Sequence, residues 1–429
     1  MSKRFSTIGL FALFVLFLLG KSVLAEELTL VQALKLGIEN NTEVIISELD
    51  REIAEGDYQI AKKSLFPEIK LNSNYTRLEQ VPFGSPNVYR TTLSLQQPIF
   101  LAGKLLSGIE LAEKGIELIA LQCEQKKESL VYNIINSYYG VLMARERLEI
   151  EEEALKLIEE HKRIVQANIK AGLALKTDLL QVEIEEGNSL QNLREARNKL
   201  YLARRSLGIM IGTDLTAIDF IVPELALEIE TGFDYLYRQA LLKRPEIQLL
   251  ALNQEMTELN LSLKKKDRYP NIILIGNYGW QGEEFSLEDG SWDLSLSLSF
   301  PVFDGRKSVS EQKNIEKELA QLAQSTKNLQ EMIALELEEQ LMKLKQNQNN
   351  IELQQINLEK SEDNFRLSSL RFEAGLGTNI DLINARTMVK QAKMMLMQAE
   401  YQYHLNLVSL LYKTGSLFEH FEEVINHEK

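Results

Sequence analysis

Hydrophobic positions along this chain follow two periods, and the switches between them predict its elements. Ile69, Leu71 and Tyr75 alternate with Lys70, Asn72, Asn74 and Thr76, the period of two that marks a β-strand. Leu93 and Leu95 continue the pattern in a partner run. It returns at Ile272, Leu274, Tyr278 and Trp280. It returns again at Trp292, Leu294, Leu296, Leu298 and Phe300, set against Asp293, Ser295, Ser297 and Ser299. Elsewhere the period is helical. Leu344, Ile351, Leu358, Phe365 and Phe372 recur every seven residues, and Val141, Leu148, Leu155, Lys162 and Ile169 stand at matching places with one polar exception. Heptads of this kind predict coiled-coil packing. A second stripe runs through Ile150, Leu157 and Ile164, and through Leu353, Ile356, Leu367 and Leu370. Each helix therefore has two apolar flanks. That suits a wall in which every helix has neighbours on both sides, and such a wall can close into a tube. The alternative, burial inside a large soluble bundle, is opposed by Asn347, Gln354, Ser361 and Ser368 between the stripes.

Both patterns occur twice, 203 positions apart. Ala171-Gly-Leu-Ala-Leu-Lys-Thr-Asp-Leu-Leu180 matches Ala374-Gly-Leu-Gly-Thr-Asn-Ile-Asp-Leu-Ile383. Pro67 pairs with Pro270, Asn74-Tyr75 with Asn277-Tyr278, Pro98 with Pro301, Lys104 with Lys307, and Gly212 with Gly415, all without a gap. The chain is a duplication. The two repeats span 26–212 and 233–415, joined by a linker at 213–232 and followed by a tail at 416–429. Each repeat reads as a helical segment (about Thr29–Ser64 and Phe233–Asp267), a strand pair (about 68–98 and 271–301), a very long helix, a tip (about 171–178 and 374–381) and a returning helix. Pro67, Pro98, Pro270 and Pro301 mark where strand meets helix. No proline falls between Leu101 and Ala171, so one helix there would be on the order of 100 Å long. Each tip breaks the helix at small residues and restarts it at Asp178 or Asp381, which predicts two hairpin tips at one end of a tall molecule.

The N-terminus changes the picture. Lys3-Arg4, an apolar run from Ile8 to Leu19 and then Val23-Leu24-Ala25 form a secretory signal over 1–25, cleaved before Glu26. The apolar run is shorter than the roughly 18–20 residues a membrane anchor needs. The single thiol, Cys123, can make no internal disulfide. The formal charge of −14 opposes nucleic acid or anionic lipid as partners. No later segment reads as a transmembrane helix, so an exported chain of this kind crosses a membrane only with β-strands. Alternating runs of about ten residues with aromatics toward their ends fit that role. Four strands cannot close a barrel, and an open edge is not tolerated in hydrocarbon. The chain must then assemble with copies of itself, and two, three or four copies all give an allowed strand number.

On these features the chain resembles the TolC-like outer-membrane efflux and secretion channels over essentially all of 26–429. The doubled strand-pair and long-helix unit and the two tips carry the likeness. The resemblance implies a mixed α/β membrane protein with four transmembrane strands per chain. It implies a homotrimer with a 12-stranded barrel in outer-membrane lipid and an α-helical tunnel reaching into the periplasm. The implied role is a passive conduit for small molecules or, as in type I secretion, proteins. An inner-membrane transporter supplies energy and a periplasmic adaptor joins it to the tunnel. Gly172, Leu173, Gly375 and Leu376 become adaptor-docking residues, and Asp381, with Asp178, an acidic lining of the tunnel mouth. Each Asp also fits a plain helix cap. Some family members carry a second acid where this chain has Asn384, so a double acidic ring is not expected.

Enzyme readings find no footing. His161, His404, His420 and His427 are isolated, and no HExxH, Cys/His cluster, P-loop, GxGxxG or Gly-x-Ser-x-Gly occurs. No metal or cofactor is expected. The rival from another class is a periplasmic coiled-coil adaptor or scaffold, which would share the helical hairpins but has no use for two amphipathic strand pairs.

Overall fold

The computed structural model describes residues 27–77, 79, 87–216, 218–223 and 232–427. The segment read as a signal, 1–25, lies outside them, as do 224–231 of the linker and the last two residues of the tail. The element order is β1 (Glu27–Leu28), α1 (Leu30–Asn40), α2 (Thr42–Lys63), β2 (Glu68–Arg77), β3 (Asn87–Phe100), α3 (Lys104–Lys170) and α4 (Lys176–Ile211). It continues with β4 (Asp219–Phe220), α5 (Phe233–Lys243), α6 (Pro245–Lys266), β5 (Asn271–Gly282), β6 (Ser291–Ser299), α7 (Lys307–Glu373), α8 (Asn379–Lys413) and α9 (Leu417–His427). The long helices α3 and α7 have 67 residues each, about 100 Å of rise. They begin and end 203 positions apart, as the repeat requires.

Two compact units form. One comprises Thr42–Lys127 and Tyr237–Glu336, the other the chain up to Asn41 with Glu128–Leu236 and Leu337–Lys429. The first unit holds a four-stranded antiparallel sheet in the order β2-β3-β5-β6. Its register brings the apolar positions of all four strands onto one face. Leu71 stands opposite Leu93, Leu93 opposite Tyr278 and Tyr278 opposite Trp292, while Leu274 stands opposite Leu296. That face is bare: Leu71, Trp292, Leu294, Leu296 and Leu298 are all exposed. Polar residues line the other face, where Asn277 donates to Asp293 at 3.0 Å and Arg90 to Gln281 at 2.8 Å. Val88, Pro98, Ile273 and Ile275 are the apolar exceptions there. Among the described residues β2 pairs only with β3, and β6 only with β5, so both outer edges carry unpaired backbone groups. Ion pairs Lys104–Asp267 at 3.0 Å, Lys114–Glu255 at 3.1 Å and Lys127–Glu48 at 3.0 Å tie α3 to its surroundings in this unit.

In the second unit α1 starts at a reciprocal cap. Thr29 Oγ1 accepts the Gln32 N–H and Gln32 Oε1 accepts the Thr29 N–H. Its face of Leu30, Ala33, Leu34 and Gly37 is buried, with Gly37 held against Ile134 of α3 and Ile211 of α4. Tyr138 of α3 lies 2.7 Å from the carbonyl oxygens of both Leu28 and Ile221, and its single proton serves one at a time. That hydroxyl fastens α3 to the short parallel pair β1–β4.

Three expectations need correction. The segments read as single helices are each two: Asn41 and Arg244 both adopt extended backbone. Pro245 explains the second break, because proline bars the preceding residue from the α region. Pro98 does not begin a helix but lies within β3, at a register shift between Pro98 and Phe100. Helix α3 begins instead after Ala102 and Gly103, both left-handed, and α7 after Gly305 and Arg306, also left-handed. Within the tail, α9 buries Leu417 and Phe421, and its first N–H reaches Glu128 Oε1 at 3.3 Å.

Candidate functional site: the paired hairpin turns

The two tips are built alike. Gly172 has φ +73° and Gly375 φ +69°, the left-handed conformation that ends a helix cheaply only at glycine. The Leu173 N–H donates to Asn168 O at 2.8 Å and the Gly172 N–H to Ile169 O at 3.0 Å. In the second tip the Leu376 N–H donates to Arg371 O at 2.8 Å and the Gly375 N–H to Phe372 O at 3.0 Å. This double bond pattern is a Schellman turn. The residue after the glycine commonly packs back on the last helical turn. Here it does not: Leu173 is 79% exposed and Leu376 83%.

Neither aspartate stands where the sequence put it. Each is the third residue of its helix, not the capping residue itself. Asp178 Oδ2 accepts the Leu175 N–H at 2.8 Å. Asp381 Oδ2 accepts the Thr378 N–H at 3.2 Å and the Thr378 hydroxyl at 2.6 Å, while Thr378 Oγ1 accepts the Asp381 N–H at 3.2 Å. The Thr378 hydroxyl, then its backbone N–H, then the charge of Arg371 hold the Asp381 carboxyl below the ordinary carboxylate range. Helix capping is thus a demonstrated job of both acids.

The tips touch. Asn379 is buried and donates to Gln181 Oε1 at 2.9 Å and to Asp178 O at 3.3 Å. Behind it Ile158, Val165, Val182 and Ile383 form a buried cluster, with Ile169, Leu179 and Phe372 packed against it. Further along α8, Arg386 donates to Leu157 O at 3.1 Å and approaches His161 Nδ1 at 3.4 Å. Lys390 pairs with the buried Glu151 at 3.4 Å, and Lys393 with Glu153 at 2.7 Å. Asn379, Arg386, Lys390 and Lys393 recur at helical spacing, so one face of α8 joins the second hairpin to the first by polar contacts. Sequence reasoning singled out none of these four. The spacing was visible, but their partners lie more than 190 positions away. Among the described residues no three His, Cys, Asp or Glu side chains converge as a metal site, and no helix is long and apolar enough to cross a membrane.

A sheet apolar on its bare face, joined in duplicate to long helical hairpins, defines a class of membrane conduit with strands for the lipid and helices for the aqueous side. The chain belongs to the outer membrane efflux protein family, whose model matches residues 33–213 and again 236–416, the spacing of the internal repeat. It is similar to the probable efflux pump outer membrane protein TtgC of Pseudomonas putida, 23% identical over 83% of this chain and 76% of the relative. It is similar also to the outer membrane protein TolC of Escherichia coli, 24% identical over 93% and 85%. Among solved structures, the Campylobacter jejuni CmeC outer membrane channel superposes with a TM-score of 0.79 at 18% identity, covering 93% of this chain and 89% of that one. The protein is an outer-membrane export channel with a periplasmic helical part, the conduit of a tripartite pump rather than its adaptor.

Proposed function

We propose that three copies of the chain close one 12-stranded barrel, β6 of each pairing with β2 of the next, and continue it as a helical tunnel. The observation that carries this reading is the sheet, apolar on one bare face with unpaired backbone at both edges. Neither is stable in lipid unless the face meets hydrocarbon and the edges meet other strands. Exposed stripes on the helices agree with it. Leu353, Ile356, Leu367 and Leu370 of α7 and Leu180 and Ile184 of α4 are uncovered in a single chain, as helices with neighbours on both sides would be. Residues 1–25 direct export and are removed. The repeats, 26–212 and 233–415, with linker 213–232 and tail 416–429, build barrel and tunnel together.

The tips form the periplasmic mouth. Leu173 and Leu376, held out by Gly172 and Gly375, dock the periplasmic adaptor, which links the mouth to an inner-membrane transporter. Asp381 and Asp178 ring the opening and favour cations. Cargo, small molecules or proteins, passes without chemistry.

Native mass of the protein, extracted in mild detergent from separated envelope membranes, tests the assembly. A stable trimer from the outer-membrane fraction is expected; a soluble periplasmic monomer would return the lead to the adaptor reading. A Leu173→Glu/Leu376→Glu double variant should lose export at unchanged trimer mass, and export at full rate would remove the docking role.

A further inference from the structure

A cavity of about 170 Å³, open to solvent on one side, lies between α3, α7 and α8 and is lined by Ile150, Ala154, Leu157, Phe365 and Val389. Arg386 lines it and is only 7% exposed. Its contacts, Leu157 O and His161 Nδ1, are both neutral. Burial first, and Arg386 second, hold His161 down at about 4, so the imidazole is uncharged at neutral pH. Two of the five guanidinium donors are thereby engaged. Among the described residues no carboxylate is in ion-pair contact with Arg386, and Glu185 acts on it only from a distance. Lys390 and Lys393 line the same cavity but are matched by Glu151 and Glu153. A desolvated cation without a counter-charge is unfavourable, and this one borders open volume.

We propose that the cavity binds a small organic monocarboxylate, its carboxylate clamped by Arg386 and its apolar body packed against Leu157, Phe365 and Val389. The size fits, since an apolar cavity of about 150 Å³ is enough for benzene. A ligand with one ring or a branched chain therefore fills it. Guanidinium and carboxylate match in charge and in paired hydrogen-bond geometry. Glu362 also borders the cavity, so a second negative charge on the ligand is repelled and dicarboxylates and phosphates are disfavoured. A bound ligand touches α3 of the first hairpin and both helices of the second, and so ties the two hairpins together.

The test is calorimetric titration of the full-length assembled protein in mild detergent with benzoate and with benzamide, its uncharged isostere. Saturable benzoate binding is expected, at least tenfold tighter than benzamide. Arg386→Met should erase that preference. Val389→Trp, which fills the chamber and keeps Arg386, should abolish benzoate binding at unchanged native mass, and it carries the test if Arg386→Met fails to fold. No saturable benzoate binding by the native protein overturns the proposal, as does binding that survives either soluble variant. If the native protein ignores benzoate and Arg386→Met disperses the assembly, the counter-charge comes from a neighbouring copy and the proposal fails.

Discussion

At the scale of single residues, polar groups matter most where they are buried. His161 stays neutral inside the hairpin pair because burial denies the charged ring its water and, second, because Arg386 repels the added proton. An unfolded chain titrates it near 6.5 and the folded chain near 4. Above pH 6.5 the two states bind equal protons and His161 contributes no pH dependence. As pH falls from about 6.5 to about 4 only the unfolded chain gains the proton, so stability drops, by on the order of 3 kcal/mol at most. Below that window the loss levels off. Thermal melts across this range should show the slope, and His161→Gln, which keeps an acceptor for Arg386, should flatten it. Asp381 poses a different question, because its cap needs an acceptor oxygen while its proposed place at the mouth needs the charge. Asp381→Asn retains an oxygen for the Thr378 cap and removes the charge. It should lower cation preference in single-channel recordings with the melting temperature nearly unchanged. Unaltered ion selectivity would leave Asp381 a cap alone.

Among elements, the sheet makes the firmest demand. Leu296 of β6 is 66% exposed on the apolar face, opposite Leu274. Leu296→Arg should cost about 2–4 kcal/mol per copy at the bilayer midplane, read as loss of outer-membrane insertion; normal insertion would take this face out of the lipid. The strands were legible in the sequence because alternation marks each of them outside the unbroken apolar run Ile272–Ile275 of β5, and α3 and α7 because heptads run on without proline. What was not legible lies where backbone and distant partners decide. Arg244 breaks from the helix because of the proline after it, a local rule that was available, whereas Asn41 has no such neighbour. Pro98 was misplaced because a register shift lets a strand absorb it. Asp178 and Asp381 looked like restart residues, but the helices begin two positions earlier, and which acceptor meets which N–H is settled only by the folded backbone. The polar face of α8 was hidden for a different reason: the side chains that give Arg386, Lys390 and Lys393 their meaning belong to the other repeat.

For the whole molecule, duplication is the governing fact, and export by a conduit follows from assembly rather than from any one group. Replacing Gly375 by valine forces a β-branched residue into a left-handed turn, although nothing lies within 4 Å of the added Cβ. The expected outcome is impaired export by trimers of normal native mass, and full export would mean the turn tolerates distortion in use. The left-handed steps before the long helices carry a consequence of another kind. The first repeat enters α3 through Ala102 and Gly103, the second enters α7 through Gly305 and Arg306, so each spends glycine where the other does not. An L-residue held left-handed is strained by roughly 1–2 kcal/mol. Two copies of one ancestor have thus relaxed opposite halves of the same corner. Each half is a working template for repairing the other, and grafting across the repeat, Ala102→Gly together with Arg306→Gly, should raise the melting temperature of a protein that no outside relative was needed to redesign.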